Sequence, residues 1–187
     1  VKRLKAQGVT LDGSVELLDV GCGAGGFLKA MKEQSKVTPR GVDFNPVCHE
    51  FALSVYGVDV DTGDLEDQHY AAERFDIVSS WHCLEHTYAP EEELAEIHRI
   101  LKPGGWLILE IPTPGFWAKM FQGRWLFLQA PTHLFHLTPA AAFELLTRTG
   151  FENRWNMRTW VPSEFAGSVM MALGFSGFAP RLLFKPS

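Results

Sequence analysis

The run Gly21-Cys22-Gly23-Ala24-Gly25-Gly26 can bring backbone amides close to a ligand. Glycine tolerates the tight turn this requires, and a helix starting at the end of the run adds the positive pole of its dipole. Gly21, Gly23 and Gly26 also satisfy Gly-x-Gly-x-x-Gly, with Asp43 at roughly the spacing of a dinucleotide fingerprint. Taken alone, the loop fits a dinucleotide, another adenosine-bearing ligand, or a turn set by packing. A second group of reactive side chains is Ser79-Ser80-Trp81-His82-Cys83-Leu84-Glu85-His86. His82 and His86 are candidate general bases, since imidazole changes charge near neutral pH. Together with Glu85 and His133 they also have the chemistry of transition-metal ligands. The reading adopted needs no metal: Glu85 and His86 hydrogen-bond the loop backbone, and His82 meets the ligand.

The elements that must position these groups alternate between short apolar runs and helical patterns, which means an α/β chain. Val15 to Val20 reads as a strand, and Gly26 to Glu33 as a helix with Phe27, Leu28, Ala30 and Met31 at helical spacing. Arg40 to Phe44 is a second strand. Asn45-Pro46 then supplies a cap and a first helical residue for a helix through about Val55. Tyr56 to Val60 reads as a third strand, followed by the loop Thr62-Gly63-Asp64-Leu65, and Phe75 to Ser80 as a buried fourth. Pro90 opens a helix with Glu91, Glu92 and Glu93 at its positive end and an apolar stripe of Leu94, Ile97 and Leu101. Lys102-Pro103-Gly104-Gly105 is expected to end it. Trp106 to Ile111 follows as a fifth strand, then a helix from Thr138-Pro139 to Gly150, with Phe151 to Val161 as a sixth strand. A seventh, antiparallel strand is sought in Val169 to Phe175.

Asp19, directly before the glycines, and Gly63-Asp64-Leu65 after the third strand separate the readings of the loop. Here the chain resembles the class I methyltransferases that use S-adenosyl-L-methionine, especially the small bacterial group that includes the ubiquinone-biosynthesis O-methyltransferases. The resemblance runs from about Leu17 to Phe151. It passes through Leu-Leu-Asp-Val-Gly-Cys-Gly-Ala-Gly, Gly-Val-Asp-Phe-Asn-Pro, Gly-Asp-Leu, Phe-Asp-Ile-Val, Cys-Leu-Glu-His, Leu-Lys-Pro-Gly-Gly and Thr-Gly-Phe. It implies a three-layer Rossmann-like sandwich with a mostly parallel central sheet flanked by helices.

It also implies roles. Asp19 and the backbone of Gly21, Cys22, Gly23 and Gly25 hold the amino-acid end of the cofactor. Asp43 takes the ribose hydroxyls, Phe44 lies against adenine, and Asp64 with the Leu65 amide reads the adenine edge. Ser80 and Trp81, at the end of the fourth strand, complete the cofactor contacts. His82, His86 and His133 are the candidate catalytic residues. Where relatives often carry Glu-x-x-Glu-His, this chain has His82-x-x-Glu85-His86, so the first carboxylate of that pattern is replaced. The resemblance makes the acceptor an oxygen or nitrogen of a small, lipid-linked or sugar-linked molecule. A nicotinamide-dependent oxidoreductase or epimerase would need a Tyr-x-x-x-Lys pair, which Tyr56, Tyr70 and Tyr88 do not supply. A non-catalytic cofactor-binding module would need broken cofactor residues.

Composition sets the remaining bounds. The chain has 187 residues, 46% of them hydrophobic, enough for one domain of residues 1–187 with its core in 15–161. A net charge of −5 argues against a broad surface for large nucleic acids. Three scattered cysteines, Cys22, Cys48 and Cys83, make neither a disulfide framework nor a zinc pair, so a cytoplasmic setting is expected. No transmembrane segment is expected, and the protein is expected to be a monomer or homodimer. Residues 112–138 carry Phe116, Trp117, Phe121, Trp125, Phe127 and Phe135 in a connection too long for a simple link. They are read as an aromatic acceptor-side lid, packed in its own right, and 162–187 as a C-terminal segment expected to be cut short by a truncation.

Overall fold

The computed structural model describes residues 14–152 and 162–173, together with positions 5, 8, 9 and 11. The chain divides into two compact units, Val1–Ile111 with Thr149–Phe151 and Pro112–Arg148 with Glu152–Ser187.

The first unit is built on strands β1 (Glu16–Val20), β2 (Thr38–Asp43), β3 (Asp59–Thr62), β4 (Phe75–Trp81) and β5 (Leu101–Glu110). They pair in the order β3-β2-β1-β4-β5, every pair parallel. Helices α1 (Gly26–Gln34), α2 (Pro46–Phe51) and α3 (Pro90–Ile100) make the crossovers. Leu17 and Ile77 cluster with Leu28 and Met31 of α1 and with Ala52, Val58 and Val60. Leu18 and Val78 alternate with them, point to the opposite face and are equally buried, so the sheet is covered on both sides. This is the expected parallel sheet flanked by helices. The connection order reverses between β1 and β4, which opens the ligand crevice of such a sheet at the carboxyl ends of those two strands.

Caps behave as their sequences predict. Asn45 Oδ1 accepts from the Val47 amide at 3.1 Å, and Pro90 occupies the first turn of α3. Three boundaries differ from expectation. After α2 the helix continues as a π turn, Ala52–Tyr56, which uses up Tyr56 and moves β3 to Asp59–Thr62. Helix α3 stops at Ile100, so Leu101 belongs to β5 and not to the helical stripe. The Lys102-Pro103-Gly104-Gly105 stretch does not separate the two elements; it loops out within β5. Register jumps from Phe75 opposite Leu101 to Ile77 opposite Trp106. Gly104, at φ 76°, supplies the left-handed residue that such a bulge requires, and Lys102 Nζ anchors it to Asp76 Oδ2 at 2.8 Å.

The second unit contains α4 (Phe116–Phe121), α5 (Pro139–Arg148) and α6 (Pro162–Ala172). Thr138 Oγ1 accepts from the Ala141 amide at 3.3 Å, capping α5 as anticipated. Most of the expected sixth strand, residues 153–161, lies outside the described residues. The seventh-strand reading of Val169 to Phe175 is corrected: Val169 to Ala172 are helical, because Pro162 starts a helix through this apolar run. Residues 174 and 175 lie outside the described residues. Within this unit Ser168, fully buried, accepts from the Leu126 amide through its hydroxyl at 3.0 Å.

Candidate active site

The glycine loop leaves β1 and folds back onto the end of β2. The amides of Gly21 and Cys22 both donate to Val42 O, at 2.9 and 3.2 Å. Gly21 is required by close approach as well as by its φ of 67°: an added Cβ would lie 2.8 Å from Cys83 Cβ, and Cys83 Sγ is closer still. The Gly23 amide donates to Asp43 Oδ2 at 2.8 Å, and the Asn45 amide to Oδ1 at 2.9 Å. Asp43 O accepts from Gly63 N at 3.1 Å, which ties the turn after β3 to the same corner. Asp43 is buried, and the two backbone amides occupy one lone-pair direction on each of its oxygens. Next to it the Phe44 ring is 77% exposed. Asp64 is exposed and Leu65 buried, and Gln68 Nε2 steadies the turn by donating to Asp64 O at 3.0 Å.

Asp19 has a different setting. It sits within the sheet, 1% exposed, accepting from Ser79 Oγ across the β1–β4 pair at 2.6 Å. Burial pushes its carboxyl up to about 7; the Ser79 hydroxyl and the Trp81 indole oppose this, and the Asp43 charge adds to it. It underlies the loop. Cys22 is held as a neutral thiol, its pKa raised first by burial and then by the charges of Asp19 and Asp43. Ser80 is fully buried, and Trp81 packs on Phe27 with ring centroids 5.1 Å apart.

At the carboxyl ends of β4 and β5 the charges are arranged otherwise. His82 follows β4 in a left-handed conformation, φ 52°, with its amide donating to Glu110 O at 2.9 Å. Its Nε2 lies 3.1 Å from Glu110 Oε1 and its Nδ1 3.4 Å from Glu85 Oε1. Those two carboxylates, Glu110 foremost, raise the imidazole to about 9 against the effect of burial. Glu110 is lowered in turn by His82. At neutral pH His82 is thus an imidazolium, which donates to Glu110, lies at ion-pair distance from Glu85 and has no lone pair to accept a proton. Glu85 is 2% exposed, in the 3-10 turn Leu84–His86. His86 is exposed, and its amide donates to Cys83 O at 2.9 Å.

His133 belongs to the second unit, where it is buried and donates from Nδ1 to Phe127 O at 2.7 Å. His136 Nε2 donates to the same oxygen at 2.8 Å. The aromatics of that unit pack on one another: Trp117 on Phe116 and Phe121, and buried Trp125 on Phe127 and His136.

Two residues of the first unit went unassigned in the sequence reading. Glu110 was visible as the lone carboxylate ending the run Trp106-Leu107-Ile108-Leu109. Glu93 is one of the three acids at the positive end of α3, and it stands four residues before Ile97 and so on the buried face of the helix.

The residues fit an adenosyl group: a buried carboxylate with spare acceptor directions suits a vicinal diol, the exposed ring beside it suits a base, and a backbone loop closes the crevice. The comparisons agree. A family model for the methyltransferase domain matches residues 2–154. The chain belongs to that family. It is a methyltransferase domain of the class that uses S-adenosylmethionine. Over 98 residues it is 36% identical to a ubiquinone biosynthesis O-methyltransferase from Thiobacillus denitrificans, covering 49% of this chain and 42% of that one. Over 100 residues it is 30% identical to ajmaline N-methyltransferase from Rauvolfia serpentina, covering 50% and 34%. The chain thus spans less than half the length of either relative. A putative methyltransferase from Bacillus halodurans superposes with a TM-score of 0.71 over 100% of this chain and 87% of that one, at 21% identity, and shares the fold. Among the described residues no helix is long and apolar enough to cross a membrane.

Proposed function

We propose that the protein transfers the methyl group of S-adenosylmethionine to an oxygen or nitrogen of a small acceptor, lipid-linked and sugar-linked molecules included. The observation that carries this reading is the corner where Asp43 joins Gly23, Asn45 and Gly63 beside the exposed Phe44 ring. In it Asp43 accepts from the ribose hydroxyls, Phe44 covers adenine, and Asp64 with the Leu65 amide meets the adenine edge. The backbone of Gly21, Cys22, Gly23 and Gly25 encloses the amino-acid end, with Ser80 and Trp81 alongside. Asp19 acts from beneath, through Ser79 and the loop. The bound cofactor supplies an electrophilic methyl group, and alignment accounts for much of the rate in such a displacement.

His82, fixed as a cation between Glu85 and Glu110, orients the end of β4. His86 and His133 remain the candidates for taking the acceptor's proton, and the aromatic segment after β5 the candidate cover for the acceptor. Related proteins named for both O- and N-methylation support the breadth of the acceptor class. Calorimetric titration with S-adenosylmethionine, S-adenosylhomocysteine and NAD tests the reading. Binding of the adenosyl ligands is expected; binding of NAD alone would transfer the site to the nicotinamide enzymes. Tight adenosyl binding without methyl transfer in a broad acceptor screen would favour a binding module.

A further inference from the structure

The chain from Ile111 to Phe143 holds no aspartate or glutamate, so all 22 acidic residues of the protein lie outside it. Its lysine and arginine are Lys119 and Arg124, both exposed. A chain of net charge −5 thus carries one stretch whose charge is only positive. An anionic surface would be repelled by most of the protein and attracted here.

Helix α4 lies within that stretch and is apolar on two sides. Trp117 and Phe121 stack with ring centroids 6.2 Å apart and are partly buried, and α4 packs on α6. Phe116 and Met120, four residues apart and so on one side of the helix, are 69% and 49% exposed. Lys119, three residues after Phe116, falls on the same arc. Arg124 ends the 3-10 turn Gln122–Arg124 that follows directly. A large apolar pair held in solvent and flanked by cations is the pattern of a surface that meets a partner.

The exposed apolar side chains of the first unit have another setting. Phe51, Leu53 and Val55 share their segment with Glu50 and Asp59, both exposed. An anionic partner is disfavoured there and favoured at α4.

We propose that the outer face of α4 docks on an anionic phospholipid surface. Phe116 and Met120 enter the boundary between headgroups and acyl chains, and Lys119 and Arg124 remain among the phosphates. The long stems of lysine and arginine permit this, since they lie along apolar surface while the charged ends stay wet. A helix of this length lies in the plane of the interface and crosses nothing. The attachment is reversible: each cation strengthens partitioning about fivefold, and two partly exposed side chains bury less than an acyl anchor. The proposal stands apart from the adenosyl-cofactor reading.

The test is co-sedimentation of the whole chain with vesicles of phosphatidylcholine alone and of phosphatidylcholine mixed with phosphatidylglycerol. The wild type is expected to sediment with the anionic vesicles and not with the neutral ones, the bound fraction falling as salt is raised. Lys119→Gln with Arg124→Gln should lower the partition coefficient about twenty-fivefold, two cations at fivefold each. Phe116→Ser with Met120→Ser should lower it about tenfold or more. Leu53→Ser with Val55→Ser, on the other exposed apolar segment, should leave it unchanged. All three pairs should keep cooperative thermal unfolding, because each position is exposed. If a pair does not fold, the lipid and salt dependence of the wild type still decides. Failure to sediment with anionic vesicles, equal sedimentation with neutral ones, or an equal loss in the Leu53 and Val55 pair overturns the proposal. Self-association without vesicles that Phe116→Ser with Met120→Ser abolishes overturns it too, and assigns the face to a second copy of the chain.

Discussion

The carboxyl ends of β1 and β2 and those of β4 and β5 solve one problem in two ways. Each holds a partly or fully buried carboxylate near the crevice. At Asp43 the charge is met by backbone amides, Gly23 and Asn45, which do not titrate. At Glu85 and Glu110 it is met by the imidazole of His82, which does. The partners of the first corner therefore bring no titrating charge, whereas the partner of the second does. A ligand-holding corner profits from constancy; a corner next to the transferred group can use a charge that responds.

The comparison is broken most severely by Asp43→Ala. It removes the diol acceptor and orphans the Gly23 amide, so affinity for S-adenosylhomocysteine should fall about a hundredfold, as charge-assisted bonds of roughly 1.5–3 kcal/mol imply. Wild-type affinity in calorimetry would refute the assignment. Gly21→Ala comes next. Its methyl must enter space held by Cys83, and the left-handed backbone adds strain, so a loss of about 2–3 kcal/mol is expected in denaturant unfolding. Pairing it with Cys83→Ala should recover roughly 1 kcal/mol of coupling, and strict additivity would count against the contact.

The smallest effect sharpens the contrast. The folded-state pKa of His82 is raised from 6.5 to about 9, so its contribution to stability is complete below about pH 6.5 and declines to nothing as pH rises through about 9. His82→Gln should flatten that part of the stability-versus-pH curve and, because Glu110 then loses the charge that lowers it, also reduce the stability lost at acid pH. An unchanged curve between pH 7 and 10 would mean that the clamp does not hold in solution.

Much of the first unit was legible because its signals are local. Asn45-Pro46 and Pro90 are caps, and alternate positions of Leu17-Leu18 and Ile77-Val78 suit a sheet buried on both faces. The misread boundaries depend on non-local choices. Gly104 ends helices in many chains, and here it serves a bulge only because Phe75 and Ile77 stand opposite with a fixed register. Nothing in Ser54-Val55-Tyr56 distinguishes an α turn from a π turn; the difference is one residue of winding. In the site, Asp43 and the glycines were legible from type and spacing. The His82 clamp was not, because pairing with Glu110 depends on β4 and β5 being neighbours. Asp19 was legible as a carboxylate before the loop, but its burial against Ser79 follows from the same strand order.

The double acceptance at Val42 O has a kinetic reading. Since Gly21 N, Cys22 N and Gly23 N are all engaged by β2 and its end, the loop is set when the sheet forms and not when a ligand arrives. Those three amides should exchange their hydrogens with solvent as slowly as the strands do. A ligand entering this corner would surrender mainly its own freedom of motion, so its capture should be limited by encounter and not by rearrangement of the chain.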